Sequence, residues 1–340
     1  MLNYIAKRIL MLVPVLLGVT FIVFSLMYLT PSDPAQQMLG ANASPAAYAQ
    51  MRHDMGLDQS FIMQYLHFLF GYKHAVFGYK GLFLGDLGRS YVTNRHVFEL
   101  ILSSFPNTVK LALGAFALSI GLGVPIGVLS AVKPYSLLDM VFTVLALVGA
   151  SMPVFWSAMV LIYVFANKLG IFPAMANPSD MLSLVLPVVT LTLYSMPIIM
   201  RMTRSSMLEI MRQDYIRTAR VKGMPEMVVI RKHAFRNALI PILTVAGLQF
   251  GILLGGAVLT EKIFSYPGIG SIMVDAIYQK DTPQILGCVC FVAVVFTLVN
   301  LLVDILYGTV DPRVKEAAQR ARNPFMNKDM LNAFARIFRK

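Results

Sequence analysis

Residues 108–132 read TVKLALGAFALSIGLGVPIGVLSAV. The stretch carries one charge, Lys110, close to its start. About 20 apolar residues carry a helix across the hydrocarbon of a bilayer. The run exceeds that length and lacks the alternation of a ten-residue barrel strand. It reads as a membrane-spanning helix. Five more runs of this kind flank it: Ile9–Leu29, Leu137–Phe165, Leu182–Met200, Ile240–Thr260 and Ile285–Leu306. Together the six hold 137 residues but only three of the chain's 46 charged side chains: Lys110, Asp139 and Asp304. The first run is too long and uniform for a signal peptide and has no small-residue cleavage site after it, so it is expected to stay as a helix.

The whole composition agrees. Of 340 residues 57% are hydrophobic and 14% charged, with a mean hydropathy of +0.68. A soluble domain carries about 25% charged residues, so ordinary soluble and disordered chains are excluded. The expected fold class is an all-α polytopic membrane protein with six transmembrane helices.

The net charge of +12 is distributed by side. The N-terminus, residues 133–136, residues 201–239 and residues 307–340 share one side and hold 20 Lys and Arg. The short pieces opposite hold four, and five more lie in the long stretch after the first helix. That bias puts both termini in the cytoplasm. The basic balance is thereby explained by topology and by anionic membrane lipid, and no nucleic-acid partner is expected.

The chain divides into a first helix (1–30), an extracytoplasmic piece (31–107), a helical core (108–306) and a basic tail (307–340). The outer piece opens on the turn signal Pro31-Ser32-Asp33-Pro34. Asp58–Phe70 has apolar residues at helical spacing, Gly71–Gly88 reads as loop, and Val97–Leu102 leads toward Pro106 as a helix. A cap packed on the helix ends is expected. Pro14, Pro125, Pro153, Pro187, Pro197 and Pro241 fall within apolar runs, where neighbouring helices can satisfy the freed carbonyls. Gly247, Gly251 and Gly255 share one helix face. That face fits a helix beside a path or subunit seam, and equally close packing within the chain. In the tail, Asn327–Lys340 reads as an amphipathic surface helix or as a frayed end.

Several chemistries are missing. There is no Walker-type phosphate loop and no H-E-x-x-H or G-x-S-x-G motif. His53, His67, His74, His96 and His233 form no ligand pair on one helix turn, so no metal site is expected. Cys288 and Cys290 lie inside the last apolar run and read as buried small side chains. Trp156 reads as a packing or interfacial residue. Asp139 and Asp304 sit near cytoplasmic ends of their runs and Lys110 near an outer end, where snorkelling or pairing is expected instead of an ion relay.

Residues 201–239 carry the most information. Asp214 suits an N-cap, Tyr215–Lys222 contains no breaker, and Gly223 suits the position after the C-cap. Pro225 is expected in the first turn of a following helix. The resulting two-turn helix puts Tyr215, Ile216 and Ala219 on one side, flanked by Arg217 and Arg220. Such an element fits a partner's cleft; a solvated basic loop is the other reading.

The stretch Asp214-Tyr215-Ile216-Arg217-Thr218-Ala219-Arg220-Val221-Lys222-Gly223 resembles the EAA loop of ABC importer permeases, within them the dipeptide/oligopeptide/nickel branch. Arg217-Thr218-Ala219 stands where the family has Glu-Ala-Ala, so only the last Ala and the Gly are kept. His233-Ala234-Phe235-Arg236-Asn237-Ala238 replaces the later Ile-x-Leu-Pro part. Both departures are typical of the peptide branch. Met1–Pro34, Gly56-Leu57-Asp58, Leu84–Ser90, Arg201–Glu209 and Thr260–Gly270 also resemble that branch, with Tyr266 where Trp is common. Residues 313–340 are covered least.

The resemblance implies an ABC importer type I permease fold with an extracytoplasmic insertion after helix 1, in a bacterial inner membrane. It implies a second homologous permease subunit, two ABC ATPase subunits and an extracytoplasmic peptide-binding protein as partners. ATP and Mg are expected on the ATPases, with no cofactor and no catalytic residue on this chain. Asp214–Arg220, Gly223 and Pro225 would couple to the ATPases. Ser151, Phe155, Trp156, Gln249 and Glu261 are candidates for the translocation path. Dipeptides or oligopeptides are the expected substrates; nickel or a metal chelate is the alternative, and a stand-alone carrier or a membrane enzyme stand further off.

Overall fold

The computed structural model describes residues 2–30, 33–40, 43–74 and 78–310. The tail and the Pro31-Ser32 pair lie outside them, as does the side chain of Asp304. Among the described residues the architecture is helical, with two isolated β-bridges, Tyr72 to Tyr79 and Arg89 to His96.

Helix α1 spans Leu2–Leu29 and keeps Pro14 inside it. Three short helices follow: α2 (Pro34–Leu39), α3 (Pro45–Asp54) and α4 (Phe61–Phe70). Asp33 caps α2 by accepting from the Ala35 N–H, and Ser44 caps α3 through the Ala47 N–H. Each places Pro at the first helical position, where its missing donor costs nothing. An aromatic seam fastens α4 to α1: Phe21 and Phe24 meet Phe61 and Tyr65, and the Tyr65 hydroxyl donates to the Leu17 carbonyl at 3.0 Å.

Helix α5 runs without interruption through Val97–Val132, about 54 Å at 1.5 Å per residue. The expected lead-in at Val97–Leu102 and the apolar run from Thr108 are thus one rod. Pro106 and Pro125 lie inside it.

The run Leu137–Phe165, expected as one helix, is broken. Helix α6 covers Leu137–Ser151 and α7 covers Val154–Leu161, continuing as a π-helical turn over Ile162–Lys168. The two arms meet at 104°. Pro153 explains the break: its ring disfavours helical backbone at the residue before it, and Met152 sits extended at ψ 128°. Tolerance of proline by neighbouring helices holds for Pro125, Pro197 and Pro241 but not here.

Helix α8 spans Val185–Met211 and α9 spans Asp214–Val221. A single turn α10 (Glu226–Val228) passes through a π-helical stretch, Val229–Phe235, into α11 (Arg236–Gly256). Then come α12 (Val258–Ile263), α13 (Ile269–Tyr278) and α14 (Thr282–Val310). Among the described residues four helices are long and apolar enough to cross a membrane, and the bent α6–α7 pair makes a fifth if counted as one span.

Small residues set the closest approaches. A Cβ on Gly127 of α5 would stand 2.7 Å from the Met200 carbonyl of α8, and one on Gly123 3.0 Å from that of Met196. The glycine face of α11 meets α14 of the same chain: Gly247 lies against Val303, Gly251 against Phe296 and Gly255 against Val292. The main apolar cluster joins α5, α7, α8 and α11 through Leu111, Ala115, Ala158, Leu191 and Leu253.

A capped helix at one end and a buried carboxylate at the other

The backbone leaves α8 through Arg212 and Gln213 and starts α9. Gln213 takes the N-cap conformation, so Asp214, expected as the cap, is instead the first helical residue and makes no side-chain cap bond. Its charge still lies in the first turn, which the helix dipole favours. Gly223 stands after the C-cap at φ +75°. Its N–H donates to the Arg220 carbonyl at 2.9 Å, and the Met224 N–H reaches the Ala219 carbonyl at 3.4 Å. This pair of bonds is a Schellman ending, which calls for glycine at the left-handed residue. Pro225, expected in the first turn of the next helix, precedes it as the N-cap.

The side of α9 expected to meet a partner is divided. Ile216 and Ala219 are buried in their own chain, in a cluster with Ala131, Met207, Val229, Ala234, Ala238 and Ile242. The small side chain of Ala219 therefore permits close approach to α9's own scaffold. Tyr215 remains half exposed, and its hydroxyl accepts from Asn237 Nδ2 at 3.1 Å. Arg217, Thr218, Val221 and Lys222 face outward. Arg220 forks onto Glu226 at 3.1 and 2.7 Å, bracing the exit turn.

The candidate path residues fall into two groups. Ser151, Phe155 and Trp156 gather at the α6–α7 break and are exposed or nearly half exposed; the Ser151 hydroxyl is bonded to the Leu147 carbonyl. Gln249 and Glu261 are buried. The carbonyl oxygen of Gln249 has no hydrogen-bond partner among the described residues.

Glu261 does not line an opening. It is fully enclosed, and its carboxylate accepts from Thr108 Oγ1 at 2.7 Å and from the Ser271 N–H at 3.1 Å. The Thr108 hydroxyl in turn accepts from the Ile269 N–H at 2.9 Å. Burial pushes the Glu261 carboxyl above the usual carboxylate range, while the bonds from Thr108 and the N–H groups of Ser271 and Gly270 oppose that shift. The side chain ties α5, α12 and the free N–H groups at the start of α13 together.

Sequence reasoning did not find a cavity of about 340 Å³ between the end of α1 and the short helices, lined in part by Asp33, Arg52, Gln64, His67, Tyr72 and Tyr91. Its residues come from stretches scattered between Phe24 and Thr282; of the short helices that build it, α4 falls within the helix expected over Asp58–Phe70, whereas α3 was not expected. Among the described residues no three His, Cys, Asp or Glu side chains are grouped as metal ligands.

The fold is shared with a membrane chain of a solved ABC transporter. A chain of the MetNI methionine ABC transporter, inward facing in its native crystal form, matches 63% of this chain with 97% of its own, at TM-score 0.52 and 19% identity. A second crystal form of the same transporter gives TM-score 0.53 at 21% identity, over 62% of this chain and 96% of the other.

The chain belongs to the binding-protein-dependent transport system inner membrane components. That family's model matches residues 123–316, and the model for the N-terminal part of such components matches residues 1–112. The dipeptide transport system permease protein DppB of Alkalihalophilus pseudofirmus is 43% identical, over 93% of this chain and all of its own. DppB of Escherichia coli K12 is 39% identical, over 93% of this chain and 99% of its own.

Proposed function

We propose that this chain is one of two permease subunits of an ATP-driven importer for dipeptides and short oligopeptides. One observation carries the reading. Helix α9 is sharply capped, keeps Ile216 and Ala219 in its own scaffold, and turns Arg217, Thr218, Val221 and Lys222 outward. The 39–43% identity to dipeptide permeases across nearly the whole chain supports the substrate class.

In this reading α1, α5, the α6–α7 pair, α8, α11 and α14 are the six spans. Residues 31–107 form the extracytoplasmic insertion, 108–306 the permease core and 307–340 a cytoplasmic tail. The excess of Lys and Arg on one side supports cytoplasmic termini. A second permease completes the path, a binding protein delivers peptide from outside, and two ATPases carry ATP and Mg. Their closure pushes α9 through Asp214, Tyr215, Arg217, Thr218, Arg220 and the rigid exit at Gly223 and Pro225. The transition is a rocking of packed helices driven by differential binding. Gln249, with its unpaired buried oxygen, and Ser151, Phe155 and Trp156 at the break are the path residues; Glu261 braces the outer corner.

The test is uptake by the complete transporter in vesicles. Labelled dipeptide should accumulate only with ATP and the binding protein present. Accumulation without ATP, or uptake of nickel in place of dipeptide, would sink the proposal.

A further inference from the structure

Helix α6 is attached unlike its neighbours. Of its 15 residues, Asp139 and Ala146 are buried. Leu138, Met140, Val144, Leu145 and Leu147 are each more than half exposed. One end of α6 is the bend at Met152-Pro153. Beyond the bend, α7 and its π-helical turn are rooted in the main apolar cluster through Ala158, Leu161 and Ile162. So α6 is an arm with a hinge at one end and few apolar anchors along its length.

The other end is held by charge. Arg204 Nε donates to Asp139 Oδ1 at 2.7 Å and Arg204 Nη2 donates to Oδ2 at 2.8 Å. The Tyr135 N–H donates to Oδ2 at 2.9 Å and the Thr143 hydroxyl to Oδ1 at 3.4 Å. Ser136 caps the same turn by accepting the Asp139 N–H at 3.3 Å. Asp139 is 3% exposed and lies in the first turn of α6, where the helix dipole favours negative charge. A two-pronged guanidinium fixes direction as well as distance. Apolar surfaces can slide past one another; this contact cannot without breaking.

Arg204 belongs to α8, which continues unbroken to Met211 and turns through Arg212 and Gln213 into α9. The start of α6, the end of α8 and α9 are therefore joined in series. We infer that the Asp139–Arg204 pair is the joint through which α9 moves the α6 arm, with Met152-Pro153 as its pivot. The inference rests on the importer reading of α9. Both are positioning residues: the arm they steer ends at Ser151, beside Phe155 and Trp156 in the proposed path, and neither is assigned a contact with peptide.

Removing one partner would leave a buried charge unpaired and endanger folding. The variant to use is therefore the neutral double, Asp139→Asn with Arg204→Gln, in the complete transporter in vesicles. Assembly and ATP hydrolysis should persist, while peptide moved per ATP falls about tenfold, an ordinary coupling free energy. A ratio equal to that of the native complex overturns the inference. A second measurement needs no change to the pair. Spin labels at Leu138→Cys on α6 and Arg212→Cys in the turn from α8 into α9 occupy exposed sites outside the face of α9 proposed to meet the ATPase, while native Cys288 and Cys290 are buried. The distance between the labels should stay constant between nucleotide-free and nucleotide-bound complexes. A change of about one helical turn, ~5 Å, contradicts the joint. Absence of ATP-driven uptake by the native complex would count against the importer reading instead, and the label distance would still decide the joint.

Discussion

The corner around Glu261 and the corner around α9 both gather the ends of several helices, yet they are held in opposite ways. At Glu261 every donor is inside: Thr108, Ser271 and Ile269 are linked through one enclosed carboxylate and one hydroxyl. At α9 the inside is apolar, with Ile216 and Ala219 as the plug, and the ionic contact between Arg220 and Glu226 lies at the surface. A buried polar network is rigid and intolerant of loss. An apolar seat with a solvated outer face leaves side chains free for a partner. The first corner is built to stay; the second is the one that the proposed function has an ATPase push.

The largest effect should come from the buried corner. Glu261→Ala leaves the Thr108 hydroxyl and the Ser271 N–H without their acceptor, a loss of order 3 kcal/mol. Unfolding in detergent should show a markedly lower midpoint, whereas a midpoint equal to the parent's would mean that water replaces the carboxylate and the corner is not rigid. Next comes Gly223→Val. Among the described residues nothing beyond its chain neighbours lies within 4 Å of a Cβ built there, so the strain is that of a β-branched residue at φ +75° alone, about 1–2 kcal/mol. Folding should survive it. ATP hydrolysis by the assembled transporter should continue while uptake drops several-fold; fully coupled uptake would remove the importance given to the exit turn.

The smallest effect belongs to the His53–Asp58 contact, 2.8 Å long on the surface of the insertion. The Asp58 carboxylate raises the His53 pKa, and His53 lowers that of Asp58. The sign follows from both shifts. The His53 part is complete below its unfolded value of about 6.5 and fades as pH rises through the raised folded value. The Asp58 part is present above about pH 4 and fades as pH falls through the lowered folded value. Amide exchange in the turn after His53 should therefore be slowest between those limits, after correction for intrinsic rates. Salt should erase the difference; a salt-resistant minimum elsewhere would assign the turn's order to other contacts.

Much of this contrast could be read from residues in order, and the missing parts have identifiable causes. Long apolar runs reveal spans because water-to-lipid transfer acts on each segment independently. Gly223 was legible because only a left-handed residue ends a helix so abruptly. The Pro153 break was not, since Pro125 and Pro197 sit in equally apolar runs and remain helical. What decides is whether neighbouring helices hold the chain straight, and that is tertiary. The inward turn of Ile216 and Ala219 was hidden for a related reason. An amphipathic pattern defines a face, while whether its own chain or a partner covers that face depends on Met207 and Ala238, outside α9. Glu261 was legible as a charge at the end of an apolar run, but its partner Thr108 is 153 residues away.

The central claim is that the outward face of α9 receives an ATPase. A photo-reactive side chain placed at Val221, which is 82% exposed, tests it most directly in membranes containing the assembled transporter, with the buried Ile216 position as control. The account predicts a cross-link from position 221 to an ATPase subunit and none from 216. Cross-links from 221 to lipid alone, with the ATPases present and active, would contradict it.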